Sequence, residues 1–333
     1  MGPMTLSTKP ILTTFCSGFR CSALGLLAAI AVDKAFAGAP GDYGQYAPGT
    51  TFGIPTGAAP PPGLYFDNLL QWAPGATGVG QLSGLKVNAI VNTTSLFWST
   101  GWNFLGGSVS AAISQSAFDL GVQAPPFGAT TRYPTIHNTW ISPLIVSWDI
   151  GGGWFASAGP AFFPPNGTKS NNTPNPDYWT FAPHASISYL ADAWNLTAHL
   201  VYELNGASAG HTGAFAGTPF APFGVGYRSG DLLIMDVTAT RKFGPWEIGP
   251  VAVTKWQTTY DRPGARASCA TMAAATFSAL TCGRANHLAI GGLVGYDFGP
   301  LALKLIAAQS VYATDDVRGL SVWTRATFRL WAP

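Results

Sequence analysis

The feature that most constrains this chain is a strictly alternating stretch, residues 246–256, with a tryptophan at each end. In an extended chain one face would carry Trp246, Ile248, Pro250, Ala252, Thr254 and Trp256. The other face would carry Glu247, Lys255 and Gln257. Side chains alternate at period two along a strand, and a tilted strand of about 9–11 residues crosses a bilayer. Tryptophan rings are most stable at the two membrane interfaces. The polar face must then line a watery lumen, because burying it in lipid is costly, and only a closed barrel satisfies both faces.

The same alternation recurs along the chain, with turn residues between the segments. The candidate strands are 62–71, 84–95, 104–117, 138–148, 153–163, 178–189, 194–205, 228–239, 246–257, 286–297, 301–312 and 318–330. About twelve strands is an even number, as a single-chain bacterial barrel requires. The sequence therefore predicts an all-β fold, a transmembrane antiparallel β-barrel.

The period of two also assigns residues to the two faces of the barrel wall. The predicted lumen and substrate-path residues are Lys86, Asn92, His199, Glu203, Asp236, Glu247, Lys255, Gln257, Lys304, Arg325 and Arg329. The predicted lipid-facing residues are Leu196, Leu200, Ile248, Leu303, Val322 and Phe328. Apolar groups such as Leu293 and Trp323 are interspersed on the predicted lumen face.

The connections between the candidate strands alternate in length. Tight turns are predicted at 149–152, 190–193, 240–245 and 297–300, whereas 118–137, 164–177, 206–227 and 258–285 are long and rich in Pro, Gly, Ser, Thr and Asn. Short periplasmic turns with long extracellular loops are typical of outer-membrane barrels.

The amino terminus has the pattern of a secretory signal peptide over residues 1–37. Lys9 and Arg20 supply a basic region, residues 23–32 form a short apolar core, and Ala35-Phe36-Ala37 fits a cleavage site. An uncleaved anchor or a disordered tail is the alternative. A cleaved signal predicts a protein in the outer membrane of a Gram-negative bacterium, in contact with outer-membrane lipid.

A Pro- and Gly-rich segment, residues 38–61, separates this signal from the predicted barrel at 62–333. Its composition excludes a central strand. The sequence leaves open whether it is a periplasmic tail or folds back into the lumen.

Charge and hydropathy agree with a barrel. Loss of residues 1–37 removes three basic residues and one acidic residue, so the formal charge of +2 becomes zero. A neutral chain has no general attraction for nucleic acid, and we expect no nucleic-acid partner. Charged residues are only 10% of the chain against roughly 25% in a soluble domain. No later stretch approaches the roughly 18 uninterrupted apolar residues of a membrane helix.

Chemistry motifs are weak. Five histidines, at 137, 184, 199, 211 and 287, show no metal-ligand spacing, and we predict no metal, no cofactor and no catalytic residue. His199 and Glu203 share a strand face, either as a lumen polar pair or as a substrate contact. Cys269 and Cys282 remain after signal removal and are a candidate disulfide in an oxidising compartment.

This disulfide would restrain the long connection 258–285, which carries Arg262, Arg266 and Arg284. A crosslink over a dozen residues restricts a loop by about 3 kcal/mol. The loop is then either a gate over the outer entrance, favouring weakly acidic solutes, or a solvated surface loop.

Five short motifs, in this order and spacing, carry a resemblance to a known family. They are Pro40-Gly41-Asp42-Tyr43-Gly44, Leu105-Gly106-Gly107, Tyr227-Arg228-Ser229-Gly230-Asp231, Gln257-Thr258-Thr259-Tyr260-Asp261 and the turn Gly299-Pro300. The chain resembles the outer-membrane proteins associated with the meta pathway of phenol degradation, over nearly its whole mature length. Tyr260 stands where family members more often carry an acidic residue, and the chain ends Leu330-Trp331-Ala332-Pro333 rather than on an aromatic residue.

The resemblance implies a channel for passive uptake of small organic solutes, aromatic or hydrophobic in character. Two alternatives remain: a structural or adhesive outer-membrane barrel, and a barrel-embedded lipid hydrolase. A hydrolase needs Ser and His facing lipid, whereas His199 and His287 fall with the lumen set. A pore open to small solutes would distinguish the channel from both alternatives. The sequence does not predict the oligomeric state.

Overall fold

The structure is a computed structural model that describes residues 44–77, 86–123, 130–168, 175–208, 228–262, 284–314 and 316–333. The predicted signal peptide, the cleavage site near Ala37 and the cysteine pair Cys269 and Cys282 lie outside these residues. Within the described ranges no helix is long and apolar enough to cross a bilayer.

The described chain forms fifteen strand segments. In chain order they are β1 (Gly63–Thr77), β2 (Lys86–Phe104), β3 (Gly107–Gln123), β4 (Thr130–Ile136), β5 (Trp140–Gly151), β6 (Trp154–Gly159), β7 (Phe162–Phe163), β8 (Thr180–Phe181), β9 (His184–Tyr189), β10 (Trp194–Asn205), β11 (Leu232–Phe243), β12 (Trp246–Gln257), β13 (Asn286–Asp297), β14 (Leu301–Thr314) and β15 (Val317–Trp331).

These segments close into one antiparallel barrel of twelve strands. The circuit runs β1, β2, β3, β5, β6, β9, β10 and then β11 to β15, and β15 pairs back with β1. The short segments β4, β7 and β8 extend this wall at one end, where β4 adds to β3 and β7 pairs with β8. The predicted strand number and closed architecture are confirmed, because every alternating stretch found in the sequence becomes a wall strand.

Five tight turns lie at one end of the barrel, and the longer connections lie at the other end together with the short β14–β15 connection. We call the end with the tight β2–β3, β5–β6, β9–β10, β11–β12 and β13–β14 turns the turn end, and the opposite end the loop end. Leu105 and Gly106 both adopt positive φ in the β2–β3 turn, at 49° and 77°, which matches the twist of a two-residue hairpin turn. The predicted loop 118–137 is partly wrong, because it contains the end of β3 and all of β4.

Large apolar side chains are exposed on the outer surface of the barrel, whereas side chains that point inward are buried. Leu200 is 37% exposed on the outside, whereas its neighbour Val201 is fully buried inside. Leu196, Ile248 and Leu303 are likewise exposed, as are Trp246 and Trp256 at the two ends of β12. Alternation sorts these side chains because successive Cβ atoms point to opposite faces of a strand.

In β2 the predicted faces are inverted. Val87 is buried and lines an internal cavity together with Ala89 and Val91, so Lys86 and Asn92 point outward. The prediction assumed that polar residues face a watery lumen. Here the lumen is lined with apolar groups, and the outward amide of Asn92 finds a partner of its own: Asn68 and Asn92 exchange two hydrogen bonds, each of 3.1 Å.

Candidate solute pathway in the lumen

The segment before β1, residues 44–62, folds back into the barrel, and we call it the lumen segment. Carboxylates from the wall accept hydrogen bonds from its backbone. The Glu203 carboxylate accepts from the backbone N–H groups of Gln45, at 2.9 and 3.0 Å, and of Tyr46. Asp236 accepts from Gly49, at 2.8 Å, and from the backbone and hydroxyl of Thr51. Residues 44–61 therefore fold back into the lumen and do not form a periplasmic tail.

Cations from the wall bind the carbonyl groups of the same segment. Lys304 Nζ donates to the carbonyl of Gly53 at 2.5 Å and to Glu247 at 2.7 Å. Arg325 donates to the carbonyls of Phe52 and Thr50 and lies 3.2 Å from the Asp67 carboxylate. A backbone without regular secondary structure thus has its polar groups paired inside the barrel, as burial requires.

Apolar packing fixes the middle of the lumen segment. Phe52 is fully buried, and its ring meets Trp323 edge to face with 5.5 Å between centroids. Leu293 and Ile306 complete the cluster around it. Burying a phenylalanine side chain contributes about 1.5–3 kcal/mol to the free energy of folding. Phe52 therefore anchors the lumen segment, and the charged pairs fix its orientation.

Most of the predicted lumen residues therefore bond to the lumen segment or to other residues of the barrel. Eight of the eleven are buried or half-buried on the inner face: His199, Glu203, Asp236, Glu247, Lys255, Gln257, Lys304 and Arg325. Arg329 shares their face of β15 by alternation but is exposed at the turn end. Lys255 pairs with Asp316 at 2.8 Å, Gln257 donates to Asp261 at 2.7 Å, and Arg329 donates to the carbonyl of Pro62 at the turn end. Only His199 and Lys304 of this set line the main internal cavity. Contact between a solute and these residues stays a prediction.

The charged groups that hold the lumen segment belong to β1, β10, β11, β12, β14 and β15. The inner faces of the five consecutive strands β2, β3, β5, β6 and β9 carry no Asp, Glu, Lys or Arg between their ends. Asp149 lies at the turn end, where its carboxylate accepts from the backbone of Gly151. The lumen is thus divided into a charged side, filled by the lumen segment, and an uncharged side.

A main cavity of about 510 Å³ lies between the lumen segment and the uncharged side. β2 contributes Thr93, Ser95 and Phe97, and β3 contributes Ala112, Ser114 and Ser116. The lumen segment contributes Ile54, Pro55, Ala58, Ala59 and Pro60. The cavity is therefore large enough for a small organic molecule and mostly apolar, with a few hydroxyl groups.

A second cavity of about 180 Å³ continues toward the loop end, and we call it the loop-end cavity. It is lined by Val87, Ala89 and Val91 of β2 and by Phe118 and Leu120 of β3. The two cavities share Gln45, Ala47 and Ser116. The inner faces of β2 and β3 thus form one uncharged track past the lumen segment. Sequence reasoning missed this track because the register of β2 was inverted.

Two of the sequence motifs meet at the loop end. Gly230 N donates to Asp261 at 2.8 Å, and Asp231 N donates to the hydroxyl of Thr259, also at 2.8 Å. The segments 228–231 and 257–261 thus hold the loop ends of β11 and β12 together.

A known protein family matches most of the barrel. Residues 73–326 match the family described as "Putative MetA-pathway of phenol degradation". The chain belongs to this family. The match covers most of the barrel, including all of β2 and β3. No curated protein sequence matches this chain.

The chain is similar to several solved structures. The COG4313 outer membrane channel from Pseudomonas putida F1 is 8% identical, with a TM-score of 0.63 over 85% of this chain and 99% of that chain. The translocator domain of the autotransporter NalP from Neisseria meningitidis is 10% identical, with a TM-score of 0.45 over 93% and 96%. The CymD monoaromatic hydrocarbon channel is 10% identical, with a TM-score of 0.36 over 82% and 90%. The first of these shows that the fold is that of an outer-membrane β-barrel.

Proposed function

We propose that this protein is an outer-membrane channel for passive uptake of small, uncharged organic solutes, aromatic or hydrophobic in character. The observation that carries the proposal is the uncharged track along β2 and β3, which lines both the loop-end cavity and the adjoining main cavity. Membership of a family described by phenol degradation supports an aromatic class of solute. With short turns on the periplasmic side, the loop end is the entrance.

Charge placement supports uncharged solutes. The carboxylates and cations of the lumen are paired with the lumen segment or with one another, and few of them line the main cavity. Transfer of an ionised solute into a mostly apolar cavity is costly without a partner charge, whereas a neutral ring gains by leaving water. The track therefore favours neutral solutes over ions of the same shape.

A lipid hydrolase finds less support. A serine contacts each of two histidines, Ser142 to His184 at 3.0 Å and Ser186 to His199 at 2.5 Å. All four side chains are buried on the lumen side of the wall, away from lipid. We therefore propose a transport role rather than an enzymatic one.

Blocking the track tests the proposal. Vesicles with a lipopolysaccharide outer leaflet would report the uptake of p-cresol, a neutral phenol at pH 7. Ala112→Trp places a large ring in the main cavity, and Ala111→Trp makes the same change on the outward neighbour. Uptake should fall at least fivefold in Ala112→Trp and stay near the original value in Ala111→Trp. Equal uptake by both variants, or no uptake above protein-free vesicles by the unchanged protein, would contradict a channel along this track.

A further inference from the structure

One wall of the main cavity is built from four consecutive rings, which we call the ring wall. Tyr46 of the lumen segment lies 6.0 Å from His199, His199 lies 5.5 Å from His184, and His184 lies 5.5 Å from Trp140, measured between ring centroids. All four residues line the cavity. Such a wall suits the face or edge of a flat ring compound, because aromatic rings attract at centroid separations of about 4.5–7 Å.

Two pairs of hydroxyl groups lie on β2 and β3. Counted round the barrel, β3 is four strands and β2 is five strands from β10, the strand that carries His199 of the ring wall. The Thr93 and Ser116 oxygens are 2.8 Å apart, and the Ser95 and Ser114 oxygens are 2.7 Å apart. All four residues line the main cavity. Each pair uses one of its two O–H groups internally, so the other O–H and several lone pairs remain for a solute.

Hydrogen-bonding capacity is also unused at the ring wall. His184 Nδ1, Trp140 Nε1 and the Thr56 hydroxyl are buried and have no hydrogen-bond partner within the described protein. All three residues line the main cavity. An unmet buried polar group costs roughly 1–3 kcal/mol. These three atoms have almost no accessible surface, so a solute reaches them only if the side chains shift. His184 is only 6% exposed, so this capacity is built into the wall rather than turned to solvent.

From these observations we infer that the main cavity is a binding site for an uncharged, flat ring compound that carries a hydroxyl group. The ring packs on Tyr46, His199, His184 and Trp140, and the hydroxyl bonds to the Thr93–Ser116 or Ser95–Ser114 pair. The inference deepens the proposed function and rests on it for the route by which the solute arrives. It assigns the choice among neutral solutes to the hydroxyl pairs, since apolar packing alone does not distinguish a phenol from a hydrocarbon of equal shape.

Equilibrium binding to the protein in nanodiscs, with empty nanodiscs subtracted, tests the site separately from transport. p-Cresol, p-xylene and p-toluate share a methyl-substituted benzene ring. They differ only in the group opposite the methyl, which is a hydroxyl, a second methyl or a carboxylate. The unchanged protein should bind p-cresol about fivefold more tightly than p-xylene, as one net hydrogen bond allows, and p-toluate most weakly. Equal affinity for p-cresol and p-xylene would overturn the inference without any variant.

A matched set of variants locates the preference. Thr93→Val with Ser116→Ala removes one hydroxyl pair, and Thr94→Val makes the same threonine change on the outward neighbour. Ser95→Ala with Ser114→Ala removes the other pair. The variant that lacks the pair used by the solute should lose the p-cresol preference while keeping its affinity for p-xylene, and Thr94→Val should keep both. Retention of the preference in both double variants would overturn the inference.

Binding and uptake together separate the site from the channel. If p-cresol binds selectively but vesicles take none up, the channel proposal fails and the binding site stands. If vesicles take up p-cresol but the protein binds it no more tightly than p-xylene, the binding site fails and the channel proposal stands.

Discussion

At the residue scale, the carboxylates inside this barrel act as acceptors for a backbone rather than as a charged ring around water. Glu203 is fully buried and accepts from two successive backbone N–H groups, those of Gln45 and Tyr46. Charge-assisted hydrogen bonds of this kind are about twice as strong as neutral ones. Glu203 thereby fixes the loop-end part of the lumen segment against β10.

Removal of Glu203 should release this part of the lumen segment. In Glu203→Ala the two N–H groups lose their acceptor, at a cost of roughly 1–3 kcal/mol or more, whereas Glu203→Gln keeps one acceptor oxygen. A cysteine at Ala47, which lines both cavities, should react with a water-soluble maleimide about tenfold faster in Glu203→Ala than in the parent. Glu203→Gln should lie between the two. Identical rates in all three proteins would show that Glu203 does not hold the segment.

At the scale of the strand, β2 shows where reading polarity from sequence fails. The inward and outward faces of β10 and β12 follow the polarity of their residues. In both strands the charged residues are buried on the inner face and the large apolar residues are exposed on the outer face. In β2 the inward face is Val87, Ala89, Val91, Thr93, Ser95 and Phe97. A lumen filled by a Pro- and Ala-rich segment accepts such residues. Trp72 and Asn88 pair on the outer face at 3.0 Å, so polar residues there have partners as well.

Cysteine labelling along β2 checks the corrected register. With the lumen accessible to a small water-soluble reagent, Ser95→Cys should be labelled and Thr94→Cys should not, because only the former side chain lines the main cavity. Labelling of both in detergent after denaturation provides the control for reactivity. The reverse pattern in the folded protein would restore the register in which Lys86 and Asn92 face the lumen.

A charge on the outer face of β10 should hinder barrel assembly. Leu200 is exposed to lipid in the middle of β10, and arginine near the bilayer midplane costs about 2–4 kcal/mol. Leu200→Arg should lower the free energy of unfolding in lipid by that amount, measured against Trp194→Arg at the end of the same strand, where the cost is about 0–1 kcal/mol. Equal losses at the two positions would place Leu200 outside the hydrocarbon region.

At the scale of the whole molecule, the sequence predicts the barrel but not how its interior is divided. Alternation, paired tryptophans and turn residues are local signals, and they were sufficient for twelve strands. The position of the lumen segment depends on contacts between residues more than 150 positions apart, such as Gln45 with Glu203 and Thr51 with Asp236. No local pattern encodes them. The site residues Thr93, Ser95, Ser114 and Ser116 are ordinary hydroxyls until the fold brings them to one cavity.

We conclude that the lumen segment covers the charged side of the barrel and leaves an uncharged route along β2 and β3. Deletion of residues 45–60 would expose Glu203, Asp236 and Arg325 to the lumen and uncover Lys304 further. The most direct measurement is the ratio of p-cresol to p-toluate uptake at pH 7, in vesicles with a lipopolysaccharide outer leaflet, for the full protein and the deletion.

The full protein should pass p-cresol and exclude p-toluate, and the deletion should lower the uptake ratio at least tenfold by admitting the anion. Heat-modifiable electrophoretic migration would establish that the deleted form is still a folded barrel. A folded deletion form with an unchanged ratio, or a full protein that passes both solutes equally, would contradict the claim.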